Sequence, residues 1–110
     1  MNKVKEKAVE EMIGKYLNYY GWSDVHPMGK IIGVRKSSIL VLAHVSAVRD
    51  ENVKMEYIPG GFAGHCVNNH QQKWIFTVDE SQTTEVRLSA KLLKNHKIEN
   101  FPNSFYDYNF

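Results

Sequence analysis

The feature that most constrains the fold is the segment 39–48, which is apolar on both of its alternating faces. Ile39, Val41 and Val45 point one way in an extended chain, and Leu40 and Leu42 point the other way. A strand of this kind needs cover on both sides, so we expect it in the middle of a sheet. Together with a strand over 30–34 and a turn over 35–38, it predicts a β-hairpin.

Three further segments extend this picture. Residues 73–78 predict a strand, 79–82 a turn and 84–88 the strand paired with it, whereas 91–98 fits either a short helical turn or an edge strand. The last ten residues hold five aromatic side chains. We therefore expect the C-terminal tail to dock on the body of the protein or on a second subunit.

The N-terminal region carries a different period. Apolar residues recur four positions apart between residues 2 and 19, which predicts an amphipathic helix that ends before Gly21. The predicted fold class is therefore α+β: an N-terminal helix (1–20) and a β-rich body (21–110) with an antiparallel sheet of about five strands. The length of 110 residues predicts a single domain, 1–110.

Composition excludes several classes of protein. With 43% hydrophobic and 12% aromatic residues, the chain is not of the disordered type. No apolar run reaches about 18 residues, so we expect no membrane span, and the charged N-terminus argues against secretion. A single cysteine, Cys66, excludes an internal disulfide and fits the cytoplasm. A net charge of +2 makes nucleic acid a poor candidate partner.

A glycine-rich segment is the most informative local motif. Gly60 and Gly61 allow backbone N–H groups to approach a ligand, and His65, Asn68 and Asn69 follow as side-chain donors. One interpretation is a cradle for a phosphate or a ribose. The other is a long turn whose polar residues face water, and the spacing alone leaves both open.

Other chemistry has weaker support in the sequence. His65, Cys66 and His70 are too few and too closely spaced for a paired zinc motif, and sequence adjacency does not make Cys66 a nucleophile. We therefore predict no metal, no cofactor and no catalytic residue. Arg49 and Arg87 have planar guanidinium groups that can donate two hydrogen bonds to a phosphate. The more common interpretation of such a residue is an exposed arginine at a strand end.

Several strings are similar to those of a known family. Residues 21–26 (GWSDVH), 47–50 (AVRD), 60–66 (GGFAGHC) and 105–110 (FYDYNF) resemble motifs of the phage Thoeris anti-defence sponges of the first-described type. The resemblance spans residues 21–110 with gaps. It departs at Val25, where the family has an arginine, and before the terminal motif, where residues 101–104 (FPNS) lack the family's basic residues.

The resemblance implies a function. Sponges of this family bind cyclic ADP-ribose signals, and some bind cyclic oligonucleotides, inside the infected bacterial cell; they do not cleave them, and they assemble as dimers or larger oligomers. For this chain, the resemblance implies a non-enzymatic homo-oligomer that sequesters a nucleotide second messenger. The residues that the resemblance carries over are Asp24, His26, Arg49, Tyr106 and Asp107.

The complete predicted ligand-binding set adds the residues chosen for anion chemistry to those carried over: Asp24, His26, Arg49, Gly60, Gly61, His65, Asn68, Asn69, Arg87, Tyr106 and Asp107. Alternative functions are a small nucleic-acid-binding module and a protein-binding inhibitor of a host factor. An enzyme dependent on Cys66 or on a metal is a further alternative.

Overall fold

The computed structural model describes residues 11–36, 38–58 and 65–107. They form eight strands and two short 3₁₀ helices. In chain order these are β1 (Tyr16–Tyr20), β2 (Asp24–Arg35), β3 (Ile39–Arg49), β4 (Tyr57–Ile58), β5 (His65–Cys66), η1 (Asn69–Gln71), β6 (Trp74–Arg87), η2 (Leu92–Lys94), β7 (His96–Glu99) and β8 (Phe105–Tyr106).

One antiparallel sheet dominates the structure. Its strand order is β6-β3-β2-β1-β7, with β8 paired to β2, while β4 and β5 form a separate two-stranded ladder. The hairpin predicted around residues 35–38 is confirmed, and β3 lies between β2 and β6. The central position expected from its two apolar faces is therefore correct.

The C-terminal strand β8 occupies a fork in the sheet. It pairs with Asp24 and Val25 at the start of β2, whereas β3 joins β2 only from Lys30 onward. Because β1 already pairs with Val25, β8 must lie on the β3 side of β2. Docking of the tail on the body of the same chain is thus confirmed for residues up to Asp107.

The main cluster of buried side chains lies on one face of the sheet, while the buried Ala43 and Val45 lie on the other face of β3. Leu17, Ile31, Leu40 and Leu42 are buried together, each at most 2% exposed. Partly buried side chains from neighbouring strands and from the segments beside the sheet pack against them: Met12, Val34, Val86, Leu88, Leu92 and Ile98. The segment 91–98, for which two structures were open, contains both: η2 places Leu92 on the core and β7 forms an edge strand.

The predicted α+β class is wrong, because the N-terminal helix is absent from the described residues. Residues 11–14 form a turn and Tyr16–Tyr20 is strand β1, while the rest of the predicted helix, 1–10, lies outside the described part. Gly14 has φ +94°, which no right-handed helix contains, and its N–H donates to the Ile31 carbonyl at 2.7 Å. Pairing with both β2 and β7 then satisfies the β1 backbone, and tertiary pairing overrides the helical period.

The hairpin predicted at residues 79–82 is also wrong. β6 runs unbroken through it, and the ladder to β3 shifts from Asp79 opposite His44 to Thr83 opposite Ala43. The local turn is real, since the Asp79 carboxylate accepts from the Ser81 N–H at 3.0 Å and from the Ser81 hydroxyl at 2.6 Å. It forms a bulge rather than a reversal, because β3 continues alongside on both sides of it.

Among the described residues, no helix has the length and apolar character needed to cross a bilayer.

Candidate functional site

A groove between the end of β6 and the segment before β7 has the lining best suited to an anionic ligand. It encloses about 590 Å³ and offers an apolar floor with basic residues around it. The lining residues are Val86, Arg87, Ser89, Lys91, Leu92, Lys94, Asn95 and His96. None of these eight is acidic. We call this the cationic groove.

Local hydrogen bonds fix the shape of the groove. The Ser89 hydroxyl accepts from the Leu92 N–H at 3.2 Å, and the Ser89 carbonyl accepts from the Leu93 N–H at 3.1 Å. These bonds begin η2, and the packing of Leu92 against the core anchors it. The basic side chains thus project from a short, well-bonded turn beside a strand end.

The positive charge of the groove is not neutralised within the part of the chain that the structure describes. Arg35 Nη1 lies 2.6 and 2.8 Å from the two carboxylate oxygens of Glu85, so the acid nearest in sequence to Arg87 is already paired. Arg87, Lys91 and Lys94 enter no ion pair among the described residues. A phosphate or carboxylate would supply the missing counter-charge.

His96 has a defined tautomer. Its Nδ1 lies 2.8 Å from the Leu92 carbonyl oxygen, which can only accept, so Nδ1 donates and Nε2 of the neutral ring is an acceptor. The ring meets Tyr19 edge-on at 5.2 Å between centroids, and Tyr19 stacks with His26 at 6.3 Å. These three rings are direct cross-strand neighbours on β7, β1 and β2, so they form one row leading away from the groove.

Five of the predicted ligand-binding residues come together elsewhere, around the fork at β8. Asp24 pairs with Tyr106 in the ladder, and the Asp24 carboxylate contacts His26 Nε2 at 2.5 Å. Asn69 Nδ2 donates to Asp107 Oδ1 at 2.9 Å. The Asn69–Asp107 hydrogen bond and the backbone pairing of Asp24 with Tyr106 both tie the C-terminal strand to the body of the chain.

Two other predicted residues have structural duties. Arg49 Nη1 donates to the Val53 carbonyl at 2.9 Å and closes the turn after β3. Asn68 is 5% exposed; its Oδ1 accepts from the Glu56 N–H at 2.7 Å and its Nδ2 donates to the Lys54 carbonyl at 2.8 Å. The Asn68 amide is therefore committed to the backbone of the adjacent loop.

The two phosphate candidates among the arginines do not share a site within one chain. Arg87 pairs with Ile39 at one end of β3, and Arg49 lies at the other end. Ten residues of strand separate their backbones by about 33 Å. Only Arg87 lies in the cationic groove.

The glycine cradle is not tested. Gly60 and Gly61 lie outside the described residues, and of His65 only the backbone, in β5, is described. No group of three or more potential metal-ligating side chains occurs in residues 11–36, 38–58 and 65–107.

Sequence reasoning missed the lysines and the histidine of the groove. Arg87, Lys91, Lys94 and His96 all fall within one stretch of ten residues, and that spacing was the available signal. The sequence alone did not show that Leu92 packs against the core. That packing holds η2 in place and leaves the basic side chains on the outside.

Comparison of this chain with protein-family models, with curated proteins and with solved structures finds no match.

Proposed function

We propose that this protein binds and sequesters a nucleotide second messenger, a cyclic ADP-ribose isomer or a cyclic oligonucleotide, without cleaving it. The observation that carries the proposal is the cationic groove: Arg87, Lys91 and Lys94, which form no ion pair with any other described residue, lie beside an apolar floor of Val86 and Leu92. Phosphates match the cations, and a base or sugar face matches the floor. The similarity of residues 21–26 and 105–110 to the sponge family supports the choice of ligand class.

Retention of the ligand fits the chemistry of the lining. The groove contains one imidazole and no carboxylate, so it lacks a carboxylate partner for general acid–base catalysis. Binding energy from charge-assisted hydrogen bonds needs no such pair. We further propose that the protein acts as a homo-oligomer in the cytoplasm of the infected bacterial cell.

Calorimetric titration with cyclic ADP-ribose isomers and with cyclic di- and trinucleotides tests the proposal. We expect tight binding of one of these ligands, and its recovery with unchanged mass after the complex is heated. Recovery of an altered ligand would identify an enzyme instead. If no nucleotide releases heat or shifts the melting temperature, the proposed function is wrong, whatever the oligomeric state.

Matched variants locate the binding site. Arg87→Ala removes a groove cation and should weaken binding by about 1.5–3 kcal/mol, whereas Arg49→Ala, at the far end of the sheet, should leave it unchanged. Lys91→Ala should also weaken binding, and the exposed Lys54 provides its control as Lys54→Ala. An effect of Arg49→Ala equal to that of Arg87→Ala would remove the groove from the proposal.

A further inference from the structure

The outer edge of β6 is the longest open hydrogen-bonding edge in the described part of the sheet. β6 spans 14 residues, is the last strand in the order β6-β3-β2-β1-β7, and pairs only with β3 among the described strands. An edge of this length exposes unpaired N–H and C=O groups that can template another strand.

The ladder to β3 identifies which backbone groups face outward. The Asp50 N–H donates to the Lys73 carbonyl at 2.7 Å, so Lys73 points its backbone toward β3. The register from Trp74 opposite Arg49 to Asp79 opposite His44 is unbroken, and backbone direction alternates along a strand. Trp74, Phe76 and Val78 therefore point their N–H and C=O groups away from the sheet.

We propose that two copies of this chain associate through this edge, antiparallel and two-fold symmetric, with Phe76 of one copy opposite Phe76 of the other. In this register Trp74 lies opposite Val78 of the partner copy. All three outward residues then exchange both backbone hydrogen bonds with the second copy. The proposal specifies the surface for the self-association contained in the proposed function, but it needs no ligand.

Charge complementarity supports the same register. Centring the pair on Phe76 places Lys73 directly opposite Asp79 of the second copy, once on each side of the two-fold axis. Both fall in non-hydrogen-bonded pairs, where opposed side chains approach most closely. The contact would therefore close with two identical ion pairs.

The neighbouring residues fit an interface that stops at Asp79. The next three residues, 80–82, form the bulge, which interrupts the edge and ends regular pairing there. Ile75 lies between Lys73 and Thr77 on the same face of this open stretch, and it is 55% exposed. An apolar side chain on this open edge gains cover from the partner strand.

The first experiment measures the mass of the full chain, without nucleotide, by sedimentation across micromolar concentrations. We expect a concentration-dependent dimer. A monomer at every concentration overturns the interface but leaves nucleotide binding to be judged by calorimetry, so the two proposals fail separately.

Cross-linking tests the register. In the proposed pairing, Ile75 lies opposite Thr77 of the second copy with Cα atoms about 4.5 Å apart, within disulfide range. The double variant Ile75→Cys/Thr77→Cys should form a covalent dimer on mild oxidation. Each single variant, and the wild type with its buried Cys66, should not, because like positions lie about 7–8 Å apart on the diagonal. A dimer that the double variant fails to cross-link overturns the register.

A charge reversal serves as a second variant that does not depend on cysteine chemistry. Lys73→Glu turns both ion pairs into repulsions and should raise the dimer dissociation constant about tenfold. Lys54→Glu makes the same charge change at an exposed site off this edge and should leave the constant unaltered. Equal behaviour of the two variants would contradict the proposed contact.

Discussion

The side-chain amide of Asn18 donates a hydrogen bond to Glu99 Oε1 at 3.0 Å, joining residues 81 positions apart. Asn18 is completely buried, on the face of β1 opposite to Leu17. Its amide nitrogen also donates to the Phe101 carbonyl at 3.0 Å, and its oxygen accepts from the Asn103 N–H at 3.1 Å. One side chain therefore fixes the whole turn that follows β7.

We expect replacement of this amide to be costly. Asn18→Leu keeps the volume but leaves the Phe101 carbonyl and the Asn103 N–H without their partner, at a cost of about 2–4 kcal/mol in the free energy of unfolding. Urea denaturation measures this loss. Asn52→Ala, at an exposed position, should change stability by less than about 0.5 kcal/mol. Equal midpoints for the two variants would contradict a structural role for the Asn18 amide.

Glu99 makes stability depend on pH. The hydrogen bond from the Tyr20 hydroxyl, followed by that from Asn18, holds the pKa of Glu99 below its usual value of 4.5, against the opposing effect of partial burial. A carboxyl with a lower pKa in the folded state contributes stability above the unfolded value. That contribution is lost as the pH falls through the folded pKa.

The expected result is a larger acid destabilisation of the wild type than of Glu99→Gln. Urea midpoints for both proteins between about pH 7 and about pH 3 provide the measurement. Tyr20→Phe removes the main cause of the shift, so its urea midpoint should fall less between these two pH values than that of the wild type. Parallel midpoint curves for all three proteins would show that Glu99 has the same pKa folded and unfolded.

The strands that the sequence predicted well are those that carry their own constraint. Segment 39–48 has two apolar faces and few ways to bury both, which is why its central position could be inferred. In contrast, the spacing of apolar residues through Met12 and Tyr16 fits a helix. In the structure, residues 16–20 instead form a strand because they pair with β2 on one side and β7 on the other. Such partners are distant in sequence, so local periodicity could not reveal them.

The same distinction holds for the candidate site. The sequence correctly indicated a local turn at Asp79. Whether the chain reverses direction there depends on pairing with β3, which the local sequence does not show. Arg87 was identified from the chemistry of its side chain, whereas its separation from Arg49 is a consequence of sheet register. The contacts of Asp24 and Asp107 around β8 likewise arise only after the C-terminal strand has docked.

Close approach of two strands makes Gly29 sensitive to substitution. A Cβ at this position would lie 2.7 Å from Leu42 Cβ and 2.9 Å from the Ala43 carbonyl oxygen, and neither can move without disturbing β3. Gly29→Ala should therefore lower the free energy of unfolding by about 1–3 kcal/mol.

Gly33 on the same strand provides the control. Its Cβ would meet nothing nearer than Val41 Cβ at 3.8 Å, so Gly33→Ala should be neutral or stabilise by up to about 1 kcal/mol through the unfolded state. Thermal unfolding of both variants makes the comparison. If Gly33→Ala proved the more harmful of the two, the close packing of β2 on β3 at Gly29 would be wrong.

The side chain of Gln72 acts as a substitute strand for β8. Its Oε1 accepts from the Tyr106 N–H at 2.9 Å and its Nε2 donates to the Tyr106 carbonyl at 2.7 Å, the pair of bonds that a neighbouring strand would make. The next residue, Asp107, turns its N–H the other way, to the Ser23 carbonyl at 2.9 Å. Gln72 therefore closes the side of β8 that faces away from β2.

Removing this clamp should loosen the C-terminal strand without unfolding the sheet. Hydrogen exchange at the Tyr106 amide should accelerate about 5–30-fold in Gln72→Ala, the equivalent of about 1–2 kcal/mol, and by more than at Asp107, which keeps its backbone acceptor. Gln72→Glu keeps an acceptor for the Tyr106 N–H but loses the donor, so its effect should be intermediate. The side chain of Gln71 makes no hydrogen bond to β8, so the Tyr106 amide in Gln71→Ala should exchange at the wild-type rate. Unchanged protection of Tyr106 in Gln72→Ala would show that pairing with β2 alone holds the strand.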